Sequence, residues 1–120
     1  MDKKELTRYF REEAAYLGFE NTAFAKAVEM TEEAQRLEQW LNKGYQGKMS
    51  YLENHFDKRI DPRKLVEGDK SVITLMFNYY PTAEQSDKEA PKIAKYAYGE
   101  DYHYVLKDKL KILLERLREK

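Results

Sequence analysis

Three residues that can exchange protons or form hydrogen bonds stand side by side at Asp101, Tyr102 and His103. A carboxylate, a phenol and an imidazole within one turn can handle protons or bind a polar ligand. They follow Gly99, which tolerates a positive φ, and precede the helical apolar pattern that begins at Val105. Asp101 is also a candidate N-cap, because aspartate often accepts the first free amides of a helix. The residues alone favour this capping role and leave the chemical role open.

The elements around this corner are predicted from their periodicity. Residues 93–98 alternate between the two faces of a chain and predict a short half-buried strand. The apolar run at 72–80 predicts a central strand covered on both faces. Between them, residues 81–91 predict a polar, mobile loop. The last helix is predicted from Tyr102 onward, and its apolar face comprises Leu106, Leu110, Leu113 and Leu117.

The N-terminal part predicts two amphipathic helices on either side of a strand. The first helix covers residues 3–17 and ends at Gly18, a suitable C-cap. Residues 19–28 predict a strand. The second helix covers residues 31–42, with Thr31 as its N-cap. Its predicted buried stripe comprises Ala34, Leu37, Trp40 and Leu41.

Residues 44–64 combine glycines with basic side chains. The loop at 44–52 contains two glycines and Lys48. Two interpretations stay open: the loop faces a ligand or an RNA, which glycines allow to approach the backbone closely, or it is a plain helix-to-helix turn. A short helix is predicted at 49–56, and another at Arg63 after Pro62. The local basic cluster comprises Lys58, Arg59, Arg63 and Lys64, with Asp57 and Asp61 between them. Such a cluster is either a solvated face or a contact for anions.

Composition limits the classes of protein that this chain can represent. Lys plus Arg and Asp plus Glu number 22 each, so no overall basic field predicts a nucleic-acid coat or a polybasic membrane anchor. Ten tyrosines indicate a folded domain rather than a disordered chain, despite a mean hydropathy of −0.90. The absence of cysteine excludes disulfides and thiolate ligands for zinc or iron–sulfur clusters within these residues. The two histidines are far apart, so we predict no metal site, and without a long apolar run we predict a cytoplasmic protein with no membrane contact.

Together these patterns predict one domain over residues 1–120 of the α+β class. A small mixed or mainly antiparallel sheet would be flanked by helices. Because three strands are few for an independent sheet, the helices must cover much of it.

Several ordered motifs resemble those of the cobalamin-dependent epoxyqueuosine reductases. The main motif is the run from Ile93 to His103, which matches an Ile-Ala-basic-Tyr-Ala-x-Gly-x-Asp-Tyr-His signature. The other matching pieces, in the same order along the chain, are residues 44–52, 59–62, 70–73 and 78–79. The resemblance extends over nearly the whole chain and is closest to the N-terminal region of the family, known as DUF1730.

The resemblance implies a fold like the cobalamin-binding part of reductive dehalogenase-type enzymes. It implies an oxidoreductase that removes the epoxide oxygen of epoxyqueuosine in tRNA, the last step of queuosine synthesis. Cobalamin would be the reactive cofactor, and two [4Fe–4S] clusters would belong to a cysteine-rich C-terminal part beyond these residues. The chain is therefore expected to be the N-terminal part of a larger enzyme and inactive by itself.

The resemblance also implies roles for individual residues. Asp101 and His103 would lie near the reacting face. The expected cobalamin contacts are Arg59, Ala94, Tyr96 and Tyr102. The expected contacts to tRNA are Lys48, Arg63 and Lys64.

A different class of function stays open on the sequence. The chain could be a free-standing domain that binds a ligand or tRNA without catalysis, which the lack of cysteine favours. A downstream cysteine motif in the gene would indicate the reductase, whereas a stop codon after Lys120 would indicate the binding domain. We assume a monomer in either case.

Overall fold

The computed structural model describes residues 1–120 and contains four α-helices and two strands. In chain order these are α1 (Lys3–Tyr16), β1 (Asn21–Lys26), α2 (Thr31–Asn42), α3 (Phe56–Ile60), β2 (Ser71–Met76) and α4 (Tyr102–Arg118). Single 3₁₀ turns occur at Ser50–Glu53, Pro62–Lys64 and Lys95–Ala97. Because helices and a two-stranded sheet are both present, the α+β class is confirmed. None of the helices combines the length and the apolarity needed to cross a membrane.

The two strands form an antiparallel sheet, because the amide of Glu20 donates to Met76 and the amide of Ala27 donates to Lys70. The chain divides into two compact units, residues 1–23 with 75–120 and residues 24–74, and each strand contributes to both. The single domain predicted for residues 1–120 stays a prediction.

The first unit is built on the packing of α1 against α4. Its buried residues are Phe10, Ala14, Phe19 and Leu113, and the half-buried residues against them are Leu17, Leu75, Phe77, Leu106 and Leu117. Ala14 is fully buried, so its small side chain lets the two helices approach closely. The Phe19 and Phe77 rings meet edge to face at 5.9 Å, a favourable geometry for aromatic pairs.

Polar groups fix both ends of α1. The Asp2 carboxylate accepts from the amides of Lys4 and Glu5 at 2.8 Å, and the Glu5 carboxylate accepts from the Asp2 amide at 2.9 Å. This reciprocal arrangement is a capping box. At the other end, Gly18 takes a φ of 93°, and Lys109 Nζ of α4 donates to the Leu17 carbonyl at 2.6 Å. The positive charge of Lys109 at this point interacts favourably with the negative, C-terminal end of the helix dipole.

The second unit contains α2 and α3. The Met30 amide donates to the Ile60 carbonyl at 2.8 Å and so ties the start of α2 to the end of α3. Ala34 is buried on α2, whereas Leu37, Trp40 and Leu41 are only half-buried. The N-cap prediction for Thr31 is wrong, since the helix begins at Thr31 and Met30 occupies the cap position without a side-chain hydrogen bond.

The predicted strands need three corrections. The first strand is shorter than 19–28, and the second ends at Met76 instead of Tyr80. The second strand is not covered on both faces, because Ile73 and Met76 are exposed. The third strand, predicted at 93–98, is absent: the amides of Ala97 and Tyr98 bond locally to Ala94 and Lys95 in a 3₁₀ turn. Alternation of side chains cannot make a strand without a neighbouring strand to receive its hydrogen bonds.

The three long helices are confirmed, and two details of the helix predictions are wrong. The predicted helix at 49–56 is a 3₁₀ turn at Ser50–Glu53, and α3 starts only at Phe56. Leu110, predicted on the apolar face of α4, is exposed, while Leu113 is 2% exposed. The N-cap role of Asp101 is confirmed.

The side chain of Gln85 forms three hydrogen bonds that hold the loop at 81–91, and Lys95 Nζ adds one to the Ala83 carbonyl at 3.2 Å. Oε1 of Gln85 accepts from the Ile93 amide at 3.0 Å and from the Tyr98 hydroxyl at 3.3 Å, while its Nε2 donates to the Pro91 carbonyl at 3.0 Å. The loop therefore supports the segment that leads into α4, which its polar composition did not indicate.

Replacing Lys109 with Met should lower the free energy of unfolding by about 1.5 kcal/mol, since hydrogen bonds to charged groups contribute roughly that much. Met keeps most of the side-chain length but cannot donate to the Leu17 carbonyl. Lys111→Met is the matched control on the exposed side of α4 and should change stability by less than about 0.5 kcal/mol. Equal losses in chemical denaturation would show that the hydrogen bond to Leu17 contributes nothing specific.

Replacing Gln85 with Ala should destabilise the protein by about 1 kcal/mol, the usual net value of a lost hydrogen bond. The specific readout is hydrogen exchange at the Ile93 amide, which should accelerate several-fold because its acceptor is gone. Glu84→Ala is the neighbouring control and should leave that exchange rate unchanged. Unchanged protection at Ile93 in the Gln85 variant would contradict this role.

Candidate functional site

The corner at residues 99–103 positions the site predicted from the sequence. Gly99 takes a φ of 75°, a left-handed conformation that glycine adopts without strain. The chain then enters α4 with Asp101 as N-cap, whose Oδ1 accepts from the His103 amide at 2.9 Å. The helix terminus therefore fixes the direction of the Asp101 carboxylate.

Asp101 also binds the side chain of His103. Its Oδ1 lies 2.8 Å from Nδ1 of the imidazole. Both side chains are more than half exposed, so water screens the pair and the contact chiefly orients the ring. The pKa of the Asp101 carboxyl is lowered, first by the hydrogen bond from the His103 amide and then by that from the His103 ring.

This geometry defines the proton positions on His103. An ionised carboxylate only accepts hydrogen bonds, so Nδ1 carries the hydrogen that faces Asp101. Nε2 is then the atom that can accept a proton or, when the ring is charged, donate one. The pair is therefore suited to proton transfer through Nε2, consistent with the chemistry predicted for this corner.

A row of aromatic rings begins at the same corner. The Tyr102 ring stacks on His103 with centroids 4.1 Å apart, and it meets Tyr96 edge to face at 6.2 Å. Tyr96 in turn meets Tyr79 at 6.4 Å. The 3₁₀ turn at Lys95–Ala97 thus places Tyr96 between Tyr102, which begins α4, and Tyr79, which follows β2.

These rings line an open pocket of about 400 Å³, which we call the aromatic pocket. Its walls are Phe77, Tyr79, Tyr96, Tyr102 and Leu106. This volume falls within the range of small-molecule sites, which are mostly apolar with a few polar groups. Asp101 and His103 are not among its walls, and His103 adjoins the pocket through its stacking on Tyr102.

The predicted site residues fall into three places. Tyr96 and Tyr102 line the aromatic pocket, and His103, with its partner Asp101, adjoins it through Tyr102. Ala94 lies nearby in sequence but lines a different depression, formed with the loop that Gln85 organises. Three side chains of the pocket were missed by the sequence analysis: Phe77, Tyr79 and Leu106. The sequence signals for them were the apolar run that includes Phe77 and Tyr79, the motif piece at 78–79 and the apolar face of the last helix that includes Leu106.

The remaining predicted residues belong to the second unit. Arg59 donates from Nε to the Asn54 carbonyl at 2.9 Å, and Lys48 and Lys64 are exposed. Arg63 forms a two-pronged ion pair with Asp61, with Nε to Oδ1 at 2.9 Å and Nη2 to Oδ2 at 2.8 Å. Asp61 is only 4% exposed, and the hydrogen bond from Arg63 lowers the pKa of its carboxyl.

Asp101→Asn should separate the charge of Asp101 from its capping role, because Asn caps a helix about as well as Asp. The lowered folded pKa means that ionised Asp101 contributes stability above its unfolded pKa of about 3.9. That contribution is lost as the pH falls through the lower folded value. Denaturation at pH 7 should therefore show wild type as the more stable protein, with the difference shrinking below about pH 4. A difference that is the same at all pH values would contradict this.

Comparison with known proteins identifies the family. The profile of the family described as epoxyqueuosine reductase QueG, DUF1730, matches residues 59–120. The chain is 59% identical over 114 residues to an epoxyqueuosine reductase of Cyclobacterium marinum, covering 94% of this chain and 37% of that protein. It is 31% identical over 124 residues to the epoxyqueuosine reductase of Escherichia coli K12, covering 99% and 32%. The chain thus spans about a third of the length of the curated relatives it matches.

Solved structures agree in fold. A crystal structure of epoxyqueuosine reductase with an epoxyqueuosine-modified tRNA-Tyr stem loop is 26% identical, with a TM-score of 0.80 over 99% of this chain and 32% of that one. Epoxyqueuosine reductase from Bacillus subtilis, solved with its catalytic loop swung out of the active site, is also 26% identical, with a TM-score of 0.81 over 99% of this chain and 33% of that one. The family profile, these relatives and this fold together show that the chain belongs to the epoxyqueuosine reductase family.

Proposed function

We propose that this chain is the N-terminal part of an enzyme that reduces epoxyqueuosine to queuosine in tRNA. The observation that carries the proposal is the Asp101–His103 pair beside the aromatic pocket, in a chain that belongs to the epoxyqueuosine reductase family. A site for this reaction needs a surface for a flat ligand and a source of protons. The pocket and the pair offer these two properties within one unit.

The reaction has a definite demand for protons. Removing an epoxide oxygen breaks two C–O bonds and forms a C=C bond, with two electrons and two protons consumed and water released. Oxygen leaves readily only when it is protonated, so a positioned acid accelerates the step. We propose that His103 handles protons near the reacting face, with its Nε2 directed by the bond from Nδ1 to Asp101. Asp101 acts through His103 as a positioning residue.

The aromatic pocket suits cobalamin on chemical grounds. A corrin is a broad disc with apolar faces and a rim of amide side chains, and three tyrosine rings with Phe77 and Leu106 present apolar surface to such a face. When bound, cobalamin supplies a strongly reducing metal centre, and the protein supplies binding and orientation. Tyr96 and Tyr102 would contact the ring system, and Ala94 would lie at its margin. A likeness in fold to the cobalamin-binding part of reductive dehalogenase-type enzymes belongs to the same proposal.

Iron–sulfur clusters do not fit the residues present, because these 120 residues contain no cysteine. We therefore derive no step from them. Electrons for the reaction must come from elsewhere, either from [4Fe–4S] clusters held outside these residues or from an added reductant.

The modified tRNA is the proposed substrate, as in the solved relative with a modified stem loop. Lys48 and Lys64 are exposed lysines that could contact phosphates, since lysine forms flexible, salt-sensitive contacts to RNA backbones. Arg63 is half-exposed and keeps donors besides those bound to Asp61. We keep all three as proposed tRNA contacts.

The direct test incubates the full-length protein with epoxyqueuosine-containing tRNA, cobalamin and a low-potential reductant. Digestion of the tRNA to nucleosides should then show queuosine replacing epoxyqueuosine. If the full-length protein binds the modified tRNA but never converts it, the reductase proposal is wrong. The protein would then function as a tRNA-binding protein without catalysis.

Two substitutions test the site itself. Asp101→Asn and His103→Ala should each lower turnover by roughly a hundredfold, the usual contribution of a positioned proton donor. Both variants should stay folded, since Asn still caps α4 and His103 is exposed. Asp108→Asn on the same helix is the matched control and should keep wild-type turnover. Full activity of both test variants would show that the corner serves only as a helix cap.

A further inference from the structure

The 3₁₀ turn at Lys95–Ala97 lies between two concave surfaces that share no lining residue. Tyr96 lines the aromatic pocket, whereas Lys95 and Tyr98 line a larger depression of about 610 Å³ formed with the loop at 81–91. The conformation of this one turn therefore decides whether the Tyr96 ring stands in the wall of the aromatic pocket.

Burial alone does not fix the ring of Tyr96. Tyr96 is 54% exposed, and Tyr79, which it meets edge to face, is 61% exposed. Rings that keep more than half of their surface in water gain little from the hydrophobic effect, because that effect scales with the area removed from water. The turn itself is a single 3₁₀ turn, whose hydrogen-bond geometry is poorer than that of an α-helix. Contacts from outside the turn must therefore hold it.

Lys95 supplies two such contacts. Its side chain is half-buried, whereas Lys88 and Lys92, which line the same depression, are exposed. Its Nζ lies 4.6 Å from the centroid of the Tyr80 ring and donates to the Ala83 carbonyl at 3.2 Å. A cation within about 6 Å of a ring centroid is attracted by the negative face of the ring. One side chain thus ties the turn both to the segment after β2 and to the loop.

The contacts of Lys95 and Tyr96 are in register with each other. Lys95 meets Tyr80, and its neighbour Tyr96 meets Tyr79. Two adjacent residues of the turn therefore contact two adjacent residues of the segment after β2. Because each pair is joined through the backbone, loss of the Lys95–Tyr80 contact loosens the Tyr96–Tyr79 contact as well.

Gln85 supports the turn from the loop. Its Oε1 accepts from the Tyr98 hydroxyl at 3.3 Å and from the Ile93 amide at 3.0 Å. The Tyr98 ring also lies 5.8 Å from Lys95 Nζ. Gln85, Lys95 and Tyr98 are half-buried in a stretch of chain that is mostly exposed. We call Tyr80, Gln85, Lys95 and Tyr98 the clamp.

We propose that the clamp positions Tyr96 for ligand binding in the aromatic pocket, with Lys95 as its central positioning residue. The inference rests on the proposed function, which supplies the ligand, cobalamin. No clamp residue is a wall of the pocket, so the clamp acts on the ligand through Tyr96. A wall that is in place before the ligand arrives avoids the cost of ordering it on binding, which raises affinity.

The clamp should control affinity rather than the rate of the reaction at saturation. The contacts of Asp101 and His103 involve each other and Tyr102, and none of them involves a clamp residue. Loss of the clamp therefore leaves the proton-transfer pair unchanged.

The test uses full-length protein and two variants that break the same contact from opposite sides. Lys95→Met keeps most of the side-chain length but removes the charge and the donor, and Tyr80→Leu removes the ring. Lys95→Arg should restore the contact, because a guanidinium also stacks on aromatic rings. Lys92→Met is the matched control for charge. Tyr16→Leu is the control for the ring, since Tyr16 is an exposed tyrosine under the cation of Arg116.

Hydrogen exchange without ligand measures the clamp itself. The followed peptide carries the amides of Ala97 and Tyr98, which close the turn. Lys95→Met and Tyr80→Leu should each accelerate its exchange several-fold, because the turn opens more often. Lys95→Arg and both controls should exchange as wild type does.

Titration with cobalamin measures the consequence for binding. Lys95→Met and Tyr80→Leu should weaken cobalamin binding several-fold, because apparent affinity falls with the fraction of molecules in the competent conformation. Saturating cobalamin should restore the slow exchange of the turn, since the ligand selects the closed form. kcat at saturating cobalamin should stay near that of wild type.

The proposal is overturned if neither variant accelerates exchange of the turn. It is also overturned if exchange accelerates while both variants bind cobalamin as tightly as wild type, or if Lys92→Met weakens binding as much as Lys95→Met.

Failure here is distinguishable from failure of the proposed reductase. Wild type that converts epoxyqueuosine while the variants bind cobalamin normally would remove only the clamp. Variants that weaken cobalamin binding to a protein that never converts epoxyqueuosine would uphold the clamp and overturn the reductase. Wild type that binds no cobalamin would overturn both.

Discussion

The first unit depends on the close packing of α1 against α4 around Ala14 and Leu113. Both side chains are almost completely buried, and burying a leucine contributes about 1.5 to 3 kcal/mol. This contact sets the position of α4, and α4 begins at Asp101. The position of the corner therefore depends on a hydrophobic contact about three helical turns further along α4. The bond from Lys109 to the Leu17 carbonyl fixes the same pair of helices by an electrostatic contact at the end of α1.

The charges at the site orient groups more than they stabilise the fold. Asp101 and His103 are both exposed, so their side-chain contact is screened by water and contributes little to folding. The carboxylate is nevertheless fixed by the His103 amide, and the imidazole is fixed by the carboxylate and by stacking on Tyr102. Such an arrangement leaves Nε2 accessible while restricting the ring, which is what proton transfer to a bound ligand requires.

In the second unit, the type of hydrogen-bond acceptor decides which cation is available. A buried carboxylate neutralises Arg63, whereas backbone carbonyls hold Arg59 without cancelling its charge. Composition predicted no basic field, because acidic and basic residues are equal in number. A local basic surface arises all the same, because acceptors are distributed unevenly among the arginines. This is also why a charge cluster in a sequence is a poor guide to the surface that it forms.

The sequence by itself determined the elements whose signals are local. The helical periodicity of α1 and α4, the stop at Gly18 and the cap at Asp101 each depend on residues within a few positions, and all are present in the structure. The motif from Ile93 to His103 similarly indicated the family. Only the tertiary structure decided the rest, because strands and pockets need partners that are distant in sequence. The third strand was predicted from alternation at 93–98, but no strand pairs with it, so its amides closed a 3₁₀ turn instead. That turn carries Tyr96 between Tyr79 and Tyr102, and long-range packing of these rings forms the aromatic pocket.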